Sequence, residues 1–161
     1  MITRKLALIL SITLGATGLA GAVLAAGDVD GMIKYRQNVM EALGGHVGAA
    51  DRILRGQVPM TDQLKLHAAA AADIAVTIPT LFSKDTIPPE SEFAGATVES
   101  KATEAIAEKP AEFKQAAEKA QQATAAFLKA VNSGADNAGL AKAFKEVGKA
   151  CKGCHTDFRS K

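Results

Sequence analysis

The chain has 161 residues, with 19 Lys and Arg against 17 Asp and Glu, so its formal charge is only +2. It contains no Trp and one Tyr, and no basic stripe is interleaved with aromatic residues, so we do not expect a nucleic-acid-binding protein. The sequence also lacks a His, Arg and carboxylate grouping that could act as acid and base, so we do not expect an enzyme.

The first element, residues 1–26, has the pattern of a secretory signal peptide. A basic start is followed by an apolar run over residues 6–14 and by small residues that end at Ala25 and Ala26, after either of which we expect cleavage. A retained membrane anchor is the alternative, but the glycines in this segment favour cleavage. We therefore expect export to the periplasm, no membrane span after cleavage, and one domain over residues 27–161 in which the charges balance.

Two apolar repeats with helical spacing follow. The first predicts a helix from about Asp28 to Arg55 that Gly56 and Pro59 close. The second predicts a helix from Thr61 or Asp62 to about Leu81, with Pro79 breaking or kinking its end. The stripe positions are Ile33, Arg36, Met40, Leu43, Val47, Ala50 and Leu54 in the first helix and Leu64, His67, Ala71, Ile74, Ile78 and Leu81 in the second.

The second half of the chain contains a connection and two further helices. Residues 83–98 are rich in Pro, Gly, Ser, Thr and acid and predict a long surface connection. A short helical piece over 99–108 leads to a third helix that starts at Pro110 and ends in Asn132-Ser133-Gly134, and a fourth starts near Asp136 or Asn137. Their stripes are Phe113, Ala116 or Ala117, Ala120, Thr124, Phe127 and Val131, then Leu140, Phe144, Val147, Cys151, Cys154 and Phe158. The pattern predicts an all-α antiparallel four-helix bundle.

The last helix carries the sequence Cys151-Lys-Gly-Cys154-His155, which is a C-x-x-C-H signature for covalent haem attachment. Each thiol can form a thioether to a haem vinyl group, and His155 is then the proximal iron ligand. Three alternatives are weaker. A dithiol redox pair belongs in a βαβ setting, zinc needs four ligands, and a disulfide with this spacing is strained.

The second axial ligand of such an iron is to be sought among Met32, Met40, Met60, His46 and His67. Met40 lies one turn after Arg36 on the first stripe, and a guanidinium on a buried face needs an anionic partner, which a haem propionate would provide. We therefore predict Met40 as the distal ligand and Arg36 as the propionate partner. Core packing of Met40 and bis-His coordination through His67 remain alternatives.

Arg159 lies one turn after His155. It is interpreted either as a solvated terminal cation that is favourable to the helix dipole or as a gate over the proximal haem face.

These residues give the chain a resemblance to the class II c-type cytochromes, that is, cytochrome c′ and its low-spin relatives called cytochrome c-556. The resemblance rests on Lys34-Tyr35-Arg36-Gln37, on the Phe113 region, and on residues 147–155 followed by Phe158-Arg159. It implies a periplasmic four-helix bundle with one haem c, often a homodimer through the first two helices. In five-coordinate members the position matching Met40 carries a non-ligating residue, so Met40 points to the six-coordinate subgroup.

The expected function is electron transfer with redox partner proteins, through a haem held by His155 and Met40. The alternative is a five-coordinate, cytochrome c′-like protein that binds nitric oxide or carbon monoxide.

Overall fold

The computed structural model describes residues 28–161, and the predicted signal peptide lies outside this range. Its four long helices are α1 (Val29–Leu54), α2 (Leu64–Ala75), α3 (Pro110–Asn132) and α4 (Asn137–Phe158). Each helix packs against the next one in the chain, and α4 also contacts α1. The described residues form no strand. The prediction of an all-α antiparallel four-helix bundle is confirmed.

Helices α1 and α4 begin at side-chain caps, whereas α2 begins at Leu64, after a 3₁₀ turn, Thr61–Gln63, and not at the predicted Thr61 or Asp62. The carboxylates of Asp28 and Asp136 each accept a hydrogen bond from the backbone N–H three residues ahead, which satisfies a donor at the start of α1 and of α4. Gly56 and Gly134 both have φ of 66°, a conformation that glycine adopts without steric cost. They terminate α1 and α3, as their sequence positions predict.

The second helix differs from its prediction in length and in its buried face. The α-helix ends at Ala75, and Pro79 lies in a separate 3₁₀ turn, Ile78–Thr80, because proline cannot donate the hydrogen bond that would continue the helix. The buried residues of α2 are Leu64, Ala68, Ala71 and Ala75. The predicted stripe omitted Ala68 and Ala75, and two of its members, His67 and Ile74, are only half-buried.

The connection over residues 83–98 is not simply a surface segment, as was predicted. Its 3₁₀ turn, Lys84–Thr86, and its single helical turn, Glu90–Phe93, place Thr86, Ile87 and Ser91 in the interior. Ile87 joins the core cluster around Phe113. The connection is therefore part of the packed structure, and it supplies the polar groups described below.

Asp30, in the first turn of α1, holds the end of this connection. Its carboxylate accepts hydrogen bonds from the Thr97 hydroxyl, from the Thr97 N–H at 2.8 Å and from the Val98 N–H at 3.0 Å. The hydrogen bond from the Thr97 side chain is the largest cause that lowers the pKa of Asp30 below its usual value.

A short helical turn, Ala105–Glu108, lies within the predicted piece and precedes α3. An isolated bridge pairs Ala102 with Arg159, and the Ser160 N–H donates to the Lys101 carbonyl at 2.8 Å. These contacts fix the C-terminal end of α4 against the segment that follows the connection.

The core consists of two apolar clusters stacked along the bundle. One contains Leu43, Ile78, Ile106, Phe113 and Phe158, and the other contains Ile53, Leu64, Phe127 and Val147. Cys154 packs against the first cluster and Cys151 against the second. Over residues 28–161, no helix has the length and apolar character needed to cross a membrane.

Candidate cofactor site

A cavity of about 660 Å³ opens among the helices and is lined mainly by apolar side chains. This volume is within the range of about 300–1,000 Å³ that is typical of small-molecule and cofactor sites. Ala117 and Ala120 of α3 leave room because their side chains are small, and both are buried. The Ala-rich helices thus create an internal space that larger core residues would have filled.

Three phenylalanine rings form one side of this space. The ring centroids of Phe82 and Phe113 are 4.9 Å apart, and those of Phe113 and Phe158 are 5.3 Å apart, in both cases edge to face. Edge-to-face pairs are a favourable arrangement of aromatic rings. The three rings therefore give the cavity a preorganised apolar wall.

The C-x-x-C-H motif lies on the wall formed by α4. Cys151, Cys154 and His155 all line the cavity, and neither thiol is engaged in a disulfide. In the same helix, Val147 and Phe158 are buried, so α4 turns the face that carries both thiols toward the interior. The helical spacing predicted this placement, because residues three or four positions apart share one face.

Burial and neighbouring charges shift the pKa values of the three groups of the motif. Burial, aided by Cys151 and Asp157, raises the pKa of Cys154 to about 11, and burial also raises the pKa of Cys151. Burial and the nearby Arg159 cation lower the pKa of His155. At neutral pH the thiols are therefore protonated, and the imidazole is neutral with a lone pair available for a metal.

Met40 also lines the cavity, on the α1 side, and packs against the core cluster around Phe113. The other candidate axial ligands lie elsewhere. Met60 is exposed in the turn before α2, and Met32 borders a different surface pocket at the start of α1. His46 and His67 do not line the cavity and contact each other instead.

Arg36 reaches the cavity from α1 and is only 3% exposed. Its guanidinium donates to the Thr86 hydroxyl at 2.7 Å, to the Thr86 carbonyl at 3.1 Å and to the Ser100 hydroxyl at 2.8 Å. Its Cζ lies 4.9 Å from the centroid of the Phe82 ring. Burial lowers the pKa of Arg36, and none of the ion pairs among residues 28–161 involves it.

Arg159 is exposed and lies at the mouth of the same cavity. Its backbone is held by the bridge to Ala102, which places its cation near His155. Both interpretations offered by the sequence remain predictions: a terminal cation and a gate over the proximal face.

The residues present fit a covalently held haem. The cavity is apolar, two thiols and an adjacent neutral imidazole lie on one wall, and a buried cation without a carboxylate partner lies at the edge. Cofactors of this kind bind in the core of helical bundles between facing helices. The fold and the site thus define a four-helix bundle built around a c-type haem.

The comparisons with known proteins identify the family. The model of the Cytochrome C′ family matches residues 31–159. A cytochrome c′ of Pararhodospirillum photometricum is 35% identical over 127 residues, which are 79% of this chain and 94% of the relative. A cytochrome c-556 of Agrobacterium fabrum is also 35% identical, over 88% of this chain and 87% of the relative.

The solved structures agree. The nitric oxide complex of a cytochrome c′ variant from Alcaligenes xylosoxidans matches with a TM-score of 0.71 and 25% identity, over 84% of this chain and 98% of that one. This chain belongs to the cytochrome c′ family. Its cofactor is the covalently attached c-type haem of that family.

Sequence reasoning missed the residues that surround Arg36. Phe82, Thr86 and Ser100 lie in or beside the connection that was predicted to be a surface segment. The predicted burial of Arg36 indicates that its guanidinium needs several acceptors, but it does not identify which residues provide them.

Proposed function

We propose that residues 27–161, once released from the signal peptide, form a periplasmic electron-transfer cytochrome. In this protein Cys151 and Cys154 hold the haem, and His155 and Met40 ligate its iron. The observation that carries this proposal is that Met40 of α1 and the C-x-x-C-H motif of α4 line the same cavity. A soft thioether favours ferrous iron more than a second imidazole does, so the site suits a carrier of relatively positive potential.

The haem supplies a one-electron couple when it is bound. The protein's own residues fix its surroundings: His155 and Met40 provide ligands that suit both oxidation states, which keeps rearrangement small. The wall formed by Phe82, Phe113 and Phe158 offers the haem an apolar surface. Arg36 provides a preorganised cation for a propionate.

A redox partner with an acidic surface is supported by the charge pattern on α4. Lys142, Lys145, Lys149 and Lys152 are exposed on the helix that carries the attachment motif. Charge complementarity of this kind increases the rate of encounter between proteins. A homodimer through α1 and α2 is supported by the exposed Tyr35 and Leu66 on these helices.

A second function, the binding of nitric oxide or carbon monoxide at an open or weakly held sixth position, is favoured by the comparisons. Most of the similar proteins and structures carry the name cytochrome c′, and solved relatives hold nitric oxide or carbon monoxide. Taken alone, the comparisons support this function better than a six-coordinate carrier. Met40 is the residue that decides between the two.

The experiment is a matched pair of substitutions in the haem-loaded protein, Met40→Leu and Met60→Leu. Met60 is the control because it is an exposed methionine outside the cavity. For the electron carrier, we expect a low-spin wild type that responds sluggishly to carbon monoxide, a high-spin Met40→Leu variant that binds it fast, and no change in Met60→Leu. A high-spin wild type with fast, tight carbon monoxide binding, unchanged by Met40→Leu, would establish the gas-binding function instead.

A further inference from the structure

Two histidines outside the haem cavity are in direct contact. His46 of α1 and His67 of α2 are both half-buried, and their Nδ1 atoms are 3.0 Å apart. The ring centroids are separated by 5.3 Å, and the ring planes are inclined by 47°. Neither residue lines the cavity that contains Met40 and His155.

This contact requires one Nδ1 to donate and the other to accept, so the two rings share one proton. A metal ion can take the place of that proton, because imidazole binds transition metals through either ring nitrogen. If each metal–nitrogen bond is about 2.0–2.1 Å long, a nitrogen separation close to the observed one corresponds to an angle of about 95° at the metal.

The angle favours some coordination geometries over others. A tetrahedral zinc ion would require the two nitrogens to be about 3.3 Å apart with bonds of this length. An angle near the right angle instead corresponds to two adjacent positions of a square-planar or tetragonal ion, the geometry of Cu²⁺ or Ni²⁺. Of these two ions, Cu²⁺ binds nitrogen ligands more tightly.

The surroundings leave room for the remaining ligands. Several residues near the pair in sequence are small, namely Ala42, Gly45 and Ala49 on α1 and Ala70 on α2. A Cβ added at Gly45 would meet nothing within 4 Å. Within residues 28–161 no third His, Cys, Asp or Glu joins the pair in a metal-binding group, so the protein supplies two ligands and water supplies the others.

We propose that His46 and His67 form a two-histidine Cu²⁺ site that links α1 to α2, separate from the haem. The chain contains only three histidines, and the third, His155, belongs to the haem motif. His46 and His67 are therefore the only imidazoles that remain for a second metal. In the haem-loaded protein the two cysteines are thioethers, so free thiols do not compete for copper.

The first test is a titration of the haem-loaded protein with Cu²⁺ alone, followed by calorimetry and by electron paramagnetic resonance. We expect one ion per chain, bound at micromolar concentration, with a copper signal that shows coupling to nitrogen. His46→Gln and His67→Gln each remove one ligand and should weaken binding roughly tenfold or more. Equal affinity in the wild type and both variants, or no binding in the wild type, would overturn the proposal.

The second test measures the link between the helices. Copper that binds the folded chain more tightly than the unfolded chain raises the melting temperature. We expect this rise in the wild type, its reversal by a chelator, a smaller rise with Zn²⁺, and none in the double variant. An equal rise in the double variant would show that copper binds elsewhere. An unchanged haem spectrum verifies that each variant is folded, and the single variants replace the double variant if it does not fold.

Discussion

The replacement of Arg36 by Met tests whether this residue joins α1 to the connection between α2 and α3. Met keeps an unbranched apolar stem of similar length but removes the charge and all five donors. Three hydrogen bonds are lost, two to Thr86 and one to Ser100. The contact with the Phe82 ring loses its cationic partner as well.

Hydrogen bonds to a charged group contribute about 1.5–3 kcal/mol each. Part of this is offset, because the burial that lowers the pKa of Arg36 also penalises its charge. The Thr86 hydroxyl still donates to the Ser83 carbonyl at 2.9 Å, whereas the Thr86 carbonyl loses its guanidinium donor. We expect a net loss of about 2–4 kcal/mol in the free energy of unfolding, or about 10 °C in melting temperature.

The assay is thermal unfolding of the haem-loaded protein, followed by far-ultraviolet circular dichroism. Arg52→Met is the matched control, because Arg52 lies in the last turn of the same helix and is exposed. Its loss should cost no more than about 0.5 kcal/mol. If Arg36→Met destabilises the protein no more than Arg52→Met does, Arg36 does not hold the connection.

The same variant tests the propionate assignment through the reduction potential. A cation near the haem favours the reduced state, because reduction removes one positive charge from the iron. Arg36→Met should therefore lower the potential, whereas Arg52→Met should leave it unchanged. Equal potentials in the two variants would contradict the placement of Arg36 beside the haem.

The remaining predictions concern attachment, the cavity and pH. Cys151→Ala or Cys154→Ala should retain haem through one thioether, whereas the double variant should release it on acid extraction; retention there would refute covalent attachment. Ala117→Phe should reduce haem incorporation by narrowing the cavity, and exposed Ala126→Phe should not. Asp30→Asn should lower the melting temperature at neutral pH. Hydrogen bonds lower the pKa of Asp30 in the folded state below its usual value. The difference in melting temperature between wild type and Asp30→Asn should therefore shrink as the pH falls through this lowered pKa. If the difference in melting temperature does not depend on pH, it does not arise from the ionised carboxylate of Asp30.

Much of the fold follows from helical periodicity. The buried residues of α3, namely Phe113, Ala117, Ala120, Thr124 and Phe127, are those that the spacing predicts. The face of α2 was harder to assign, because residues 68–72 are all alanine and offer no contrast between an inner and an outer side. The placement of His67 depends on the packing of α2 against its neighbours, which this uniform run does not encode.

The position of the C-x-x-C-H motif on one wall of the cavity was predictable because the motif is local. Cys151, Cys154 and His155 share one helix, so their spacing alone brings them to one wall of the cavity. The partners of Arg36 were not predictable, because Thr86 and Ser100 are 50 and 64 residues away in the chain. A Thr or Ser in a loop carries no signal of burial, and only the folded connection reveals it.

The ligation of the haem iron by His155 and Met40 is tested most directly by the optical and electron paramagnetic resonance spectra of the ferric wild type beside Met40→Ala. We expect a low-spin, six-coordinate wild type with the weak red absorption band of thioether ligation. Met40→Ala should lose this band and become high-spin. A wild type that is already high-spin and five-coordinate, with spectra that Met40→Ala leaves unchanged, would contradict the account.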